Sequence, residues 1–267
     1  MEPPRPKNAS VSGSRVGERL VHDAVHEFNT PLTVIREFAS ILADGLCASG
    51  VVTQEECVRA ILGASGDLVD MFDSYRGIEA VRNGRPPADR KPCSLPAIWE
   101  EARPAVERRA VERGVRLEAD LDPVDAPLDS LDVDRRQVAR ALRCIIRAAI
   151  RSTPAGGRVR FRARRGKDGF VAFACLDGGP PLAPEDVRLF EQGEIGNGIE
   201  RRSSVCTFGL DLELARAVAE ANGGRLRLRS GPGGGRACLL FLPVVSAARS
   251  VDASRESRPR AGSLGRS

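Results

Sequence analysis

The sequence predicts an α+β protein in two parts. An antiparallel two-helix hairpin pairs with a second copy to form a dimeric four-helix bundle, and an α/β sandwich with helices on one face of its sheet follows. Three observations carry this. Apolar residues alternate steps of four and three through 20–46 and again from Val58 to Tyr75, the seam of packed helices. A Pro-rich stretch without apolar period, 83–92, interrupts the chain. Beyond it, short alternating runs mix with helical segments.

The first seam is Val21, Val25, Phe28, Leu32, Ile35, Ala39, Leu42 and Leu46. After a turn at Ala48-Ser49-Gly50, Thr53 with Glu56 forms a capping box, and Val58, Ile61, Ser65, Leu68, Phe72 and Tyr75 continue the pattern. Two stripes on one hairpin cannot bury each other fully, so a second copy is the expected partner and the chain a homodimer. The second domain reads as a helix over 96–113, a strand near 115–119, a helix from Asp134 to Arg151, strands at 158–164, 170–176, 225–229 and 237–242, and a helix from Leu210 to Ala221 stopped by Asn222-Gly223-Gly224. The expected sheet is essentially antiparallel. The divisions are a flexible segment 1–15, the hairpin 16–82, a linker 83–92, the second domain 93–246 and a flexible basic tail 247–267, with a long period-free stretch from Phe190 to Gly209 expected to be a lid or a disordered insertion.

Composition narrows the function classes. Of 267 residues, 42% are hydrophobic, enough for a packed core, and the net charge of +5 comes from arginines scattered among acids. One Trp, one Tyr and nine Phe offer few stacking platforms, which argues against a nucleic-acid partner. No run approaches the ~20 apolar residues that cross a bilayer, so no membrane insertion and a cytoplasmic location are expected. Seven separated cysteines without a C-x-x-C pair fit buried reduced thiols.

Both histidines, His22 and His26, fall on the first helix. An ordinary surface histidine would have unremarkable neighbours, whereas His26 is followed by Glu27, an acid able to take the imidazole proton while the other ring nitrogen attacks phosphorus. Thr30 lies one turn on, placed to orient a water or a phosphoryl oxygen, and Pro31 removes a hydrogen bond beside the nucleophile. His-x-x-x-His also matches a zinc spacing, but Asp23 stands where a metalloprotease needs Glu and no third histidine exists, so no metal site is expected.

The block His26-Glu27-Phe28-Asn29-Thr30-Pro31-Leu32-Thr33-Val34-Ile35 resembles the H box of sensor histidine kinases. The resemblance extends over roughly 16–244 and implies a phosphoacceptor hairpin, then an ATP-binding domain of the gyrase, heat-shock-protein and histidine-kinase type. It further implies a response-regulator receiver domain as phosphoryl partner. In the family, two asparagines before the T-P-x-G-G turn hold Mg²⁺ and phosphates; here those positions are Cys144 and Ala148, and neither supplies an oxygen donor. Leu176-Asp177-Gly178-Gly179-Pro180-Pro181 resembles the adenine loop, keeping Asp177 and Gly179. Gly209-Leu210-Asp211-Leu212 stands where G-L-G-L cradles phosphate, with Asp211 replacing a glycine.

Arg140, Arg143, Arg147 and Arg151 recur at helical spacing, and Arg147 and Arg151 are candidates to neutralise phosphate without Mg²⁺; a solvated stripe or a docking surface for an acidic partner is the alternative. The reading is a two-component phosphorelay protein that carries phosphate on His26 and exchanges it with a receiver aspartate, binding ATP weakly and without help from Mg²⁺. An active, Arg-assisted autokinase and a non-catalytic scaffold are the alternatives.

Overall fold

The computed structural model describes residues 10–49, 52–83, 88–121, 131–165, 169–192, 209–231 and 234–244, with the side chains of the first helix described at Val25 and from Glu27 onward. Helix α1 runs Ser10–Ala43, a 3₁₀ turn spans Leu46–Ser49, and α2 runs Gln54–Arg82. Helix α1 therefore begins inside the segment expected to be flexible. The capping box forms as read: Thr53 Oγ1 accepts from the Glu56 amide at 3.2 Å and Glu56 Oε2 from the Thr53 amide at 2.8 Å. Pro31 is accommodated within the continuous α1, and Phe28 stacks on Phe72 of α2 with centroids 4.5 Å apart. The 193–208 stretch, the 247–267 tail and the side chains of His22 and His26 lie outside the described residues.

The second domain comprises β1 (Lys91–Cys93), α3 (Leu95–Glu112), β2 (Arg116–Asp120), β3 (Leu131–Val133), α4 (Arg135–Ser152), β4 (Arg158–Arg165), β5 (Phe170–Asp177), α5 (Pro184–Gln192), α6 (Gly209–Ala221), β6 (Arg225–Ser230) and β7 (Arg236–Pro243). Strand β1 occupies the end of the expected linker, where it pairs with β3. The main sheet has the order β2-β4-β5-β7-β6. It is mixed, which corrects the antiparallel expectation: β2 and β4 are parallel because the chain between them crosses over through β3 and α4 and returns in the same direction.

Alternation along the strands sends Val159, Phe161, Val171, Phe173, Leu240 and Leu242 to the face covered by helices, where Trp99 of α3 stacks on Phe161 at 5.2 Å. Helix α4 starts on Asp134, whose side chain accepts from the Gln137 amide at 3.1 Å, while the Asp134 amide donates to the buried Asn222 Oδ1 at 2.7 Å. The α6 terminus and the α4 start are thus tied together. No helix among the described residues is long and apolar enough to cross a membrane.

The hairpin is not separate from this domain. Cys57, Ala64, Met71, Ser74, Gly77 and Ile78 form a second, buried stripe on α2, and Met71 and Ile78 join the core of the second domain. By contrast Val25, Leu32, Val58, Leu62, Val69 and Phe72 are exposed on the single chain.

The tightest backbone constraint is at the α6–β6 turn. A Cβ on Gly224 would sit 2.1 Å from the Phe241 carbonyl oxygen and 3.0 Å from Leu242 Cδ2. Gly224→Ala is expected to destabilise the protein by at least about 2–3 kcal/mol in denaturant unfolding, since backbone rather than a flexible side chain must yield.

Candidate functional site

The H box lies on α1 opposite the start of α6. Glu27 Oε1 accepts from the Leu210 amide at 3.1 Å, so the acid adjacent to His26 occupies the N-terminus of α6, where unpaired N–H groups and the helix dipole favour an anion. Gly209, the neighbouring residue, is buried and Thr30 is exposed. The structure therefore brings Glu27 and Gly209 together, although they were read as members of two different motifs.

The phosphate end of the second domain is filled by side chains. Asp211 on α6 is buried at 1% exposure. Its Oδ2 accepts from Arg151 Nη2 at 2.7 Å and from Arg147 Nε at 3.2 Å, while its Oδ1 accepts from Arg147 Nη2 and, at 2.6 Å, from Ser74 Oγ of α2. Arg147 also reaches Asp70 Oδ1 at 2.8 Å and Ser74 Oγ at 2.9 Å. Arg147 and Arg151, expected to compensate nucleotide phosphate, bind Asp211 in this structure. The reason is electrostatic: the carboxylate that replaces glycine at 211 is the nearest anion, and burial strengthens its attraction to both guanidiniums. Burial pushes the Asp211 pKa up, but the charges of Arg151 and Arg147 outweigh it and hold the carboxyl below its ordinary range.

Other arginines join the hairpin to the second domain, whereas Arg143 of the stripe reaches the Glu101 carbonyl oxygen of α3 at 3.5 Å. Arg140 donates to the Asp73 carbonyl oxygen of α2, Arg109 and Arg113 of α3 share Asp67, the latter at 2.6 Å, and Arg82 pairs with Glu213 at 2.8 Å.

At the other end of the site, Asp177 closes β5 and Arg236 opens β7 directly opposite it. Arg236 Nε lies 3.2 Å from Asp177 Oδ2, both side chains being buried, and Asp177 Oδ1 accepts from the Gly179 amide at 2.8 Å. Glycine is required at 179: a Cβ there would lie 2.9 Å from both the Ser152 carbonyl oxygen and Arg236 Nη2. The cavity beside them, lined by Ile145, Ala149, Leu182, Leu212 and Leu228, holds about 30 Å³, room for one or two waters. Cys144 and Ala148 are buried and offer no hard oxygen donor. Among the described residues, these two positions do not fit the coordination of a magnesium-bound triphosphate.

Two signals for this arrangement were in the sequence. Asp70 and Ser74 sit four residues apart on α2, and the arginines on α4 repeat at the same interval, but nothing in either period says that the two faces meet. Arg236 had no signal beyond its position after Gly233-Gly234-Gly235.

Asp211→Ala would leave two guanidiniums buried without their shared anion. A loss of about 3–5 kcal/mol in denaturant unfolding is expected, against about 1–2 kcal/mol for Ser74→Ala. Stability should also fall in alkali. Burial pushes the Cys144 thiol up to about 11, with the Asp211 charge adding, and burial likewise raises Cys175 and Cys238. These raised folded-state values contribute stability that is complete below the unfolded thiol pKa of about 8.5 and is lost as pH rises from there through the folded values. Unfolding measured at pH 7, 9 and 10.5 should show this loss, and Cys144→Ala should reduce it.

Two family models match in tandem: the His Kinase A (phospho-acceptor) domain over residues 18–83, and the histidine kinase-, DNA gyrase B- and HSP90-like ATPase over 133–246. Histidine protein kinase DivJ of Caulobacter vibrioides is 27% identical over 230 residues, covering 86% of this chain and 38% of that protein. The alginate biosynthesis sensor protein KinB of Pseudomonas aeruginosa is 26% identical over 233 residues, covering 86% and 37%. This chain thus spans less than two fifths of the length of these relatives. Among solved structures, the histidine kinase AdeS of Acinetobacter baumannii superimposes with a TM-score of 0.54 at 20% identity, over 83% of this chain and 98% of that one. Hairpin, sandwich and both family models agree, and the chain belongs to the sensor histidine kinase family.

Proposed function

We propose that this chain is a dimeric phosphotransfer member of a two-component pathway, carrying a phosphoryl group on His26 and exchanging it with a receiver-domain aspartate, and that it does not phosphorylate itself from ATP. The observation that carries this reading is the buried cluster of Asp211, Arg147, Arg151, Asp70 and Ser74 at the phosphate end. A triphosphate would have to displace a carboxylate held by two guanidiniums, and it would find no oxygen ligand for Mg²⁺ at Cys144 or Ala148. The adenine end would require Arg236 to leave Asp177.

The transfer itself needs little from that domain. One ring nitrogen of His26 attacks the phosphorus of the receiver's acyl phosphate, and the P–O bond to the aspartate breaks and returns a carboxylate. The proton on the other ring nitrogen passes to a carboxylate acting as base, for which Glu27 is adjacent in sequence. Thr30, exposed one turn on, is the group to orient a water for receiver dephosphorylation. The apolar residues left exposed on α1 and α2 supply the surface for a second copy, which would complete the four-helix bundle.

Autokinase activity is the second reading, favoured by the kinship to DivJ, named a histidine protein kinase. One experiment separates the two. A receiver domain phosphorylated with a labelled acyl phosphate is mixed with the full chain, and labelled ATP with Mg²⁺ is supplied in a parallel reaction. The expected result is acid-labile label from the receiver alone, none with His26→Ala, and transfer slowed about 10²-fold with Glu27→Ala. Label arriving on His26 from ATP would establish the autokinase. Label from neither source would leave an interaction scaffold.

A further inference from the structure

The sheet face turned away from the helices has its own pattern. Register places Arg160, Leu176, Ala237 and Arg229 on one rung across β4, β5, β7 and β6. The next outward rung is Arg162, Ala174, Leu239 and Arg227, and the third is Arg164, Ala172, Phe241 and Arg225. Each rung reads arginine, apolar, apolar, arginine. The result is a floor of small and apolar side chains, half-exposed except for the buried Ala237, between two arginine rows. Three interstrand steps separate the rows, about 14 Å at the usual strand spacing, and a helix with its side chains is about 10–12 Å across.

The carboxylates facing these rows are weakly held. Glu118 and Asp120 of β2 stand in register beside Arg160 and Arg162. Glu118 lies 3.6 Å from Arg158, Asp120 3.4 Å from Arg162 and 3.7 Å from Arg164, and Glu191 3.3 Å from Arg227, all on substantially exposed side chains. Such pairs contribute little and exchange readily for a better-placed anion. Arg160 and Arg229 pair with no carboxylate among the described residues.

We infer that this face is a docking surface for an amphipathic α-helix of a partner protein, one whose apolar stripe is bordered on both sides by acidic residues. Its stripe would lie on Ala172, Ala174 and Leu239 while its Asp and Glu side chains meet the two rows. Charge, width and apolar floor all match that occupant. A single-stranded nucleic acid fits less well. The two aromatic rings of this face, Phe170 and Phe241, already lie under the Arg225 guanidinium at 5.2 and 4.8 Å, and the aliphatic floor offers bases nothing to stack on. The inference stands apart from phosphoryl transfer and from the state of the nucleotide site.

The probe is a fluorescent synthetic peptide of roughly 18 residues, a leucine stripe flanked by glutamates, titrated with the full chain and followed by anisotropy. Binding that weakens with salt is expected. The Arg160→Gln, Arg229→Gln pair should weaken it about tenfold and flatten the salt dependence. Leu239→Asn should weaken it by a similar factor with the salt dependence kept. All these residues are at the surface, and circular dichroism of each variant checks the fold. The inference is overturned by any of four results: no binding, binding indifferent to these variants, equal binding of a peptide with the same composition but a broken stripe, or tighter binding of a single-stranded oligonucleotide of equal charge.

Discussion

Much of the structure depends on one buried carboxylate. Asp211 sits where α2, α4 and α6 meet, and it holds Arg147, Arg151 and Ser74 at once. A charge so deeply buried could not stay ionised alone; it does so because two guanidiniums and a hydroxyl replace the water it has lost. The cluster need not stabilise the fold more than an apolar core would. It ties the hairpin to the domain through paired charges, since Asp211 of α6 and Ser74 and Asp70 of α2 share Arg147. Burial raises the Cys144 thiol pKa, and the Asp211 charge adds to that shift.

Helix α2 consequently has two working faces. One carries Asp67, Asp70 and Ser74 onto the arginines of α3 and α4, and the other packs Phe72 on Phe28 while leaving apolar side chains to solvent. Glu27 adds a link between α1 and the first turn of α6. These contacts run along the second half of α2, from Asp67 to Arg82, so the domain acts as a brace.

The sheet divides labour in a similar way. Its inner face completes the core, and the last inward rung turns polar as Asp177 meets Arg236 across β5 and β7. Its outer face keeps arginines on β4 and β6 because those positions alternate away from the helices. The arginine stems lie along the apolar floor while the charged heads stay in water.

Local patterns were legible because they are local. The capping box at Thr53 and Glu56, the helix stop at Asn222-Gly223-Gly224 and the strand runs depend on hydrogen bonds and periods within a few residues. Strands β1 and β3 and helix α5 escaped because three residues, or nine without a strong stripe, carry too little period to stand out. The seam of the hairpin was readable, but its second stripe at Cys57, Ala64, Met71 and Ile78 was not, since a seven-residue repeat of mixed side chains gains meaning only when a neighbour covers it. By itself the sequence determined the two-part architecture, the H box and the loss of oxygen donors at Cys144 and Ala148. Only the tertiary structure decided what the arginines do. A period along one helix states which residues share a face, whereas the partner of a charge is set by distance, and Asp211 comes within hydrogen-bonding reach of Arg147 and Arg151 only after α4 and α6 have packed.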